Sequence, residues 1–238
     1  MGNNRYLDAL ALMGVGGAHP GGLFLTKKML AADKIDAGMA VLDAGCGTGQ
    51  TAAYIAEQFQ CYVAALDDSE MMLKKARERF SARSLPVETR HGAIENLPWQ
   101  DSSFDMIVSE SVIAFTDIAQ SIPEFKRVLK PDGTLNAVEM VLEKKLPEHE
   151  MTPVNDFYGM TRLLMEPEWL DRFYDAGFRD VQVETFNLPS GEVKLDNTPD
   201  FLLSENIGDE WFDILLEHEQ LTALYREWLS FRIFRCKV

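Results

Sequence analysis

Met39-Ala40-Val41-Leu42-Asp43-Ala44-Gly45-Cys46-Gly47-Thr48-Gly49-Gln50 is an apolar run that ends on a carboxylate and then breaks into three glycines at alternate positions. A continuous apolar stretch of this length is what a parallel strand buried on both faces requires. The glycines after it let the chain turn sharply and approach a ligand where a Cβ would collide. A helix predicted over 48–59 then aims its N-terminus at that ligand. The spacing is Gly-x-Gly-x-Gly, not the Gly-x-Gly-x-x-Gly of dinucleotide-binding proteins. Asp43 stands directly ahead of the glycines, where it would repel a pyrophosphate, so a cofactor that carries a cation suits this loop better.

One strand further on, Cys61-Tyr62-Val63-Ala64-Ala65-Leu66-Asp67-Asp68-Ser69-Glu70-Met71-Met72-Leu73 places Asp67 at the end of a second apolar run. That position, about 20 residues beyond the loop, is where a carboxylate accepts hydrogen bonds from two ribose hydroxyls. Ser69 is a helix cap by type and position. From residue 40 onward strands alternate with helices: strands near 40–43, 62–66, 86–90, 104–109 and 134–142, with helices over 48–59, 69–82 and 117–129. Such alternation predicts an α/β fold, a doubly wound and mostly parallel sheet with helices on both faces. Ligands bind beyond the carboxyl ends of its strands, where Asp43, Asp67, Gly92 and Ser109 all fall.

The loop and the second strand resemble those of the class I S-adenosylmethionine-dependent methyltransferases, whose first two strands read VLDxGCGTG and VxGxDxSxxML. The resemblance is closest in flavour to the ubiquinone/menaquinone-biosynthesis type of small-molecule methyltransferase. It continues through His91-Gly92-Ala93-Ile94-Glu95-Asn96-Leu97-Pro98-Trp99, similar to that family's adenine-side loop, through Phe104-Asp105-Met106-Ile107-Val108-Ser109, and through the helix and turn Phe125 to Leu135. It implies a Rossmann-like sheet of seven strands with an antiparallel last strand, S-adenosylmethionine as cofactor and S-adenosylhomocysteine as product. It further implies that Asp43, Gly45, Cys46, Gly47 and Gly49 hold the methionine portion and Asp67 the ribose. Asp68, Met72 and the Ala93-Ile94 backbone would meet the adenine side, and Ser109 would floor the sulfonium. Two positions depart from the family pattern: Ala93, where Asp is frequent, and Asp132, where Gly is frequent.

The 238 residues suit one methyltransferase domain, with an N-terminal lid over 1–38, a cofactor-binding core over 39–142, and an acceptor-side cap that completes the sheet over 143–238. Gly14 to Gly22 is too glycine-rich for a helix or a strand, and Thr26 is a suitable cap for a helix starting at Lys27. The expected order is therefore helix, glycine hinge, helix. After Pro147 the pattern loosens until a helix near 167–176 and a strand over 178–184. The last strand, at 229–234, follows an inserted stretch over 187–228 that includes a helical segment from Asp209 to Tyr225. An insertion of this size forms either a cap or a contact in a homo-oligomer.

The formal net charge is -15, and residues 143–238 carry 10 basic and 20 acidic side chains. The part expected to hold the acceptor thus lacks the Lys and Arg clusters that meet phosphates, which argues against nucleic acid as partner. No apolar run reaches membrane-spanning length, and residues 1–6 carry no basic segment followed by an apolar one, so no membrane association is expected. Three cysteines without metal-type spacing point to a reducing cytoplasmic setting. The four histidines are scattered, and no metal site is predicted.

Methyl transfer from a sulfonium ion is an in-line displacement, in which the protein chiefly orients donor and acceptor and excludes water. A hydroxyl or protonated amine acceptor also needs a base near the carboxyl ends of the fourth and fifth strands. Glu110 is the first candidate, the alternative being a carboxylate turned toward the cofactor's cationic end or toward solvent. His19, carried by the glycine hinge, is the second. Glu139, inside the fifth strand, faces either the pocket rim or a buried partner. Phe115, Tyr158, Arg162 and Met165 are expected along the acceptor, with Tyr158 and Arg162 at helical i, i+4 spacing. A small-molecule acceptor is the leading reading. A protein side chain as acceptor, or a non-catalytic module that binds the cofactor, are the alternatives.

Overall fold

The computed structural model describes residues 4–160, 162–186, 200–205 and 207–238. In chain order the first half forms α1 (Arg5–Met13), β1 (Val15–Gly16), α2 (Gly22–Ala31), β2 (Ala40–Ala44), α3 (Gln50–Phe59), β3 (Tyr62–Asp67), α4 (Glu70–Ala82), β4 (Val87–His91) and β5 (Phe104–Glu110). A 3-10 turn, Ile113–Phe115, leads to α5 (Ile118–Val128), β6 (Leu129–Leu142), α6 (Glu148–Tyr158), α7 (Glu166–Asp175), β7 (Asp180–Glu184), β8 (Asp200–Phe201), α8 (Asp209–Leu224) and β9 (Leu229–Lys237).

Seven of these strands make one sheet in the order β4-β3-β2-β5-β6-β9-β7. The first five are mutually parallel, and β9 runs antiparallel to both β6 and β7. Side chains alternate across a strand, so each apolar run serves two cores. Val41, Val63, Met106 and Val108 pack with α2, α3 and α4, whereas Leu42, Ala64, Ile107 and Leu135 pack with Ile122 and Phe125 of α5 and Trp169 and Phe173 of α7. The expected doubly wound, mostly parallel seven-stranded sheet with an antiparallel last strand is the fold observed.

Four local expectations are corrected. The second helix starts at Gly22 rather than Lys27: Gly21 adopts φ +79 at its N-cap, and Leu23, Phe24 and Leu25 fall inside the helix. Thr26 is therefore mid-helix, its hydroxyl bonded elsewhere. Residues 148–158, which sequence pattern left irregular, form α6 in spite of Pro153, because Met151, Val154 and Tyr158 bury one stripe at helical spacing. That helix ends at Gly159, φ +63, so Tyr158 and Arg162 share no helix face. Finally, β6 begins at Leu129 and bulges before Thr134, with Asp132 at φ +49. Glycine adopts that left-handed backbone freely, which accounts for the family pattern implied by the resemblance, and Asp tolerates it better than most residues.

The described part of the inserted stretch packs on the N-terminal segment of its own chain. Strand β8 pairs antiparallel with β1, Val15 opposite Phe201 and Gly16 opposite Asp200, and α8 packs on α1. Lys75 of α4 donates to the carbonyls of Leu12 and Leu202, while Arg79 donates to the Thr48 carbonyl at 2.8 Å and pairs with Asp200. The part of the inserted stretch over 187–199 lies outside the described residues.

Candidate functional site

The carboxyl ends of β2, β3 and β5 open into a cavity of about 380 Å³. Val15, Gly17, Ala18 and His19, carried in part by the β1–β8 pair, form its roof, and Ser111, Val112, Phe115 and Thr116 close the far side. The glycine-rich stretch, expected as a loop throughout, contains strand β1 at Val15–Gly16, because β8 supplies it with a pairing partner, and Gly17, Ala18 and His19 beyond it line the cavity.

The cofactor loop is built from backbone hydrogen bonds. The N–H groups of Gly45 and Cys46 both donate to the Leu66 carbonyl, at 2.8 and 2.9 Å, which bends the chain out of β2. Gly47 N–H donates to Asp67 Oδ2 at 2.8 Å, and Ser69 N–H to Asp67 Oδ1 at 2.9 Å. Asp67 is thereby aimed across the strand ends. Burial pushes its carboxyl up to about 6, against the lowering effect of the two N–H donors. The three glycines differ in what they permit. A Cβ on Gly47 would meet nothing within 4 Å, so the space above it is open to a ligand. A Cβ on Gly45 would stand 2.4 Å from Val112 Cγ2, and one on Gly49 2.5 Å from the Phe80 ring.

Asp43 is 3% exposed, and its Oδ2 has no hydrogen-bond partner among the described residues. Burial raises its carboxyl well above the ordinary range, and Glu110 adds to the rise. The buried Cys46 thiol is pushed up by burial and by Asp43. Asp43, Asp67, Asp68, Glu95 and Glu110 all line the cavity, and no lysine or arginine does among the described residues. An orphaned buried carboxylate oxygen, the open face of Gly47 and unbalanced negative charge fit a cationic, ribose-bearing group, and they disfavour a pyrophosphate.

Glu110 is not a free base. Its Oε1 accepts from Thr26 Oγ1 at 2.7 Å and its Oε2 from Thr51 Oγ1 at 2.6 Å, so α2 and α3 are both tied to the end of β5. His19 Nε2 lies 3.4 Å from Glu110 Oε2 and 3.3 Å from Thr26 Oγ1. His19 Nδ1 is buried without a partner among the described residues. With Nε2 as the donor toward Glu110, Nδ1 keeps an unused lone pair, the tautomer a general base needs.

Of the other expected cofactor contacts, Asp68, Met72, Ala93 and Ile94 line the cavity. Ser109 and Gly49 do not. Ser109 is fully buried on the core face of β5, and Glu110 and Ser111 stand at the cavity instead. Gly49 is needed for the close approach of α3 to Phe80 of α4. On the acceptor side Phe115 is in place, whereas Tyr158, Arg162 and Met165 are outside the lining. Tyr158 is buried with its hydroxyl 2.8 Å from His218 Nδ1, Arg162 pairs with Glu168, and Met165 precedes α7. Gln50, Thr51 and Ser111 line the cavity without having been singled out. Thr51 and Glu110 are 59 residues apart, so only the closed sheet reveals that pair. No group of three His, Cys, Asp or Glu side chains suited to a metal ion occurs among the described residues.

The sheet order and the carboxylate-flanked loop define a Rossmann-like protein that binds a cationic nucleoside at its strand ends. Residues 42–137 match a family model described as a methyltransferase domain. The chain is 38% identical over 231 residues to the uncharacterized methyltransferase YodH of Bacillus subtilis (strain 168), covering 97% of this chain and 98% of that one. It is 30% identical over 159 residues to a sarcosine/dimethylglycine N-methyltransferase of Halorhodospira halochloris, covering 63% of this chain and 55% of that protein. Among solved structures, phosphoethanolamine N-methyltransferase 2 of Haemonchus contortus in complex with S-adenosyl-L-methionine superposes with a TM-score of 0.79 at 19% identity. That match covers 98% of this chain and 56% of the other, and it bears on the fold. The chain belongs to the class I S-adenosylmethionine-dependent methyltransferases, and S-adenosylmethionine is its cofactor.

Proposed function

We propose that this methyltransferase acts on a small molecule held inside the lidded cavity, with His19, oriented by Glu110, receiving the acceptor's proton. The observation that carries the reading is the roof. Val15, Gly17, Ala18 and His19 lie over one cavity of about 380 Å³ that cofactor and acceptor would share, which supports a small acceptor group reached under the roof rather than an open groove for a folded protein. The glycine loop and Asp43 would hold the methionine portion, Asp67 the ribose, and the Ala93-Ile94 segment the adenine side. When bound, the cofactor would supply an electrophilic methyl group, its sulfur being the leaving atom that keeps the electron pair. The acceptor atom would take that methyl group, and its proton would pass to His19. Glu110 then balances the imidazolium charge. The roof excludes water from the transfer.

The deciding experiment measures S-adenosylhomocysteine production with a panel of small amines and hydroxyl compounds against a panel of intact proteins. Turnover of small acceptors supports the reading. Turnover of proteins alone, or tight cofactor binding with no turnover of either panel, overturns it.

A further inference from the structure

Glu139 of β6 is fully buried, yet none of the described residues offers it a cation. Its cross-strand neighbour Arg232 is engaged by Glu143 and Glu166. What it has instead is backbone. Oε1 accepts the N–H groups of Val112 at 3.2 Å and Ile113 at 2.9 Å, and Oε2 accepts that of Ala114 at 3.3 Å. These three successive donors open the 3-10 turn beside the cavity. Burial pushes the Glu139 carboxyl up to about 7 in spite of them.

The segment it grips is part of the site. Ser111, Val112, Phe115 and Thr116 line the cavity, and Ser111 turns the chain at φ +58 with its N–H on the Val138 carbonyl at 2.7 Å. Val112 also abuts Gly45, which leaves no room for a Cβ there. A buried carboxylate without a countercharge disfavours folding, so packing alone gives no reason for one here. We propose that Glu139 is a positioning residue for methyl transfer: by accepting the N–H groups of Val112, Ile113 and Ala114 it holds segment 111–116 against the cofactor loop and sets the acceptor end of the cavity. The inference rests on the reading of that cavity as the methyl-transfer site.

The two oxygens give the test its resolution. In Glu139→Gln the amide oxygen can stay on Val112 and Ile113, and the amide nitrogen then faces Ala114. In Glu139→Leu all three donors lose their acceptor. Residue-resolved amide exchange on the full-length protein at pH 8, with calorimetric titration of S-adenosylhomocysteine, reads both effects. Expected for Glu139→Gln is faster exchange at Ala114, by about tenfold, with Val112 and Ile113 still protected and affinity within roughly threefold of wild type. Expected for Glu139→Leu is faster exchange at all three and affinity weakened by about tenfold or more. Unchanged protection at all three amides in the Gln variant overturns the proposal, and if Glu139→Leu does not fold this pattern alone decides. Equal loss of affinity in both variants also overturns it. Failure of the wild type to bind S-adenosylhomocysteine would instead remove the reading of the cavity, while leaving the exchange pattern to be judged separately.

Discussion

Thr51 Oγ1 donates to Glu110 Oε2 at 2.6 Å and joins the first turn of the cofactor helix to the end of β5. With Thr26 on the other oxygen and His19 beside it, Glu110 is the point where lid, cofactor loop and acceptor side meet. Its carboxylate is held by donors that fix its direction, which supports the proposed role of orienting His19.

That arrangement separates binding from chemistry. Glu110→Gln should leave S-adenosylhomocysteine affinity within about threefold while lowering kcat by roughly 10²- to 10⁴-fold, the range of a lost general-base contribution. His19→Gln should give a similar loss of kcat. Calorimetry paired with steady-state assays on an acceptor found by the panel measures both; equal losses in affinity and kcat would show that the cluster only supports the fold.

Asp67 offers a pH signature. Its carboxyl sits at about 6 in the folded protein, above the ordinary value of 3.8, because it is buried. In the proposed site the Asp67 anion is the form that would accept the ribose hydroxyls, so S-adenosylhomocysteine affinity should fall as pH drops through 6. The sign for stability is opposite: a raised carboxyl means the folded state binds more protons between those two values, so this group's contribution rises as pH falls. Asp67→Asn should weaken affinity by roughly 10- to 150-fold at pH 8 and flatten the pH profile of binding near 6. Titrations across pH 5 to 8 decide it.

The glycines of the loop should rank by their surroundings. Gly47→Ala faces open space and carries only the left-handed strain of φ +52, about 1–2 kcal/mol. Gly45→Ala and Gly49→Ala add collisions with Val112 and Phe80, worth about 1–3 kcal/mol more. Urea denaturation of the three apo variants should therefore place Gly47→Ala as the mildest, whereas its open face predicts a clear loss of cofactor affinity.

The roof is latched by α4. Arg79→Met removes the donor to the Thr48 carbonyl and the partner of Asp200, and should cost about 1.5–3 kcal/mol. S-adenosylhomocysteine should also dissociate faster from this variant, since β8 braces β1 through that pair. Stopped-flow dissociation that matches wild type would show that the latch serves stability alone.

The sequence made the core of the fold legible because its signals are local. Val41 to Asp43 and Val63 to Leu66 are continuous apolar runs ending on carboxylates, and alternation with helices leaves little besides a parallel sheet. Asp43, Gly47 and Asp67 were legible for the same reason, each sitting at a fixed offset from a strand end, and with Ala93 and Ile94, which the family resemblance pointed to, they line the cavity. Residues judged by helical spacing alone fared worse. Tyr158 and Arg162 were placed on one face, but Gly159 ends the helix between them and sends one inward and the other to Glu168.

What the sequence alone determined is thus the sheet, the cofactor loop and the class of donor, all set by contacts within a few residues or by periodicity. Only the tertiary structure decided that Glu110 is clamped by Thr26 and Thr51, that Ser109 faces the core, that Glu139 grips the 112–114 backbone, and that residues 200–202 pair with the lid. These pairs lie tens to nearly two hundred residues apart in the chain. Their partners are chosen by how the elements pack, and no local pattern encodes that choice.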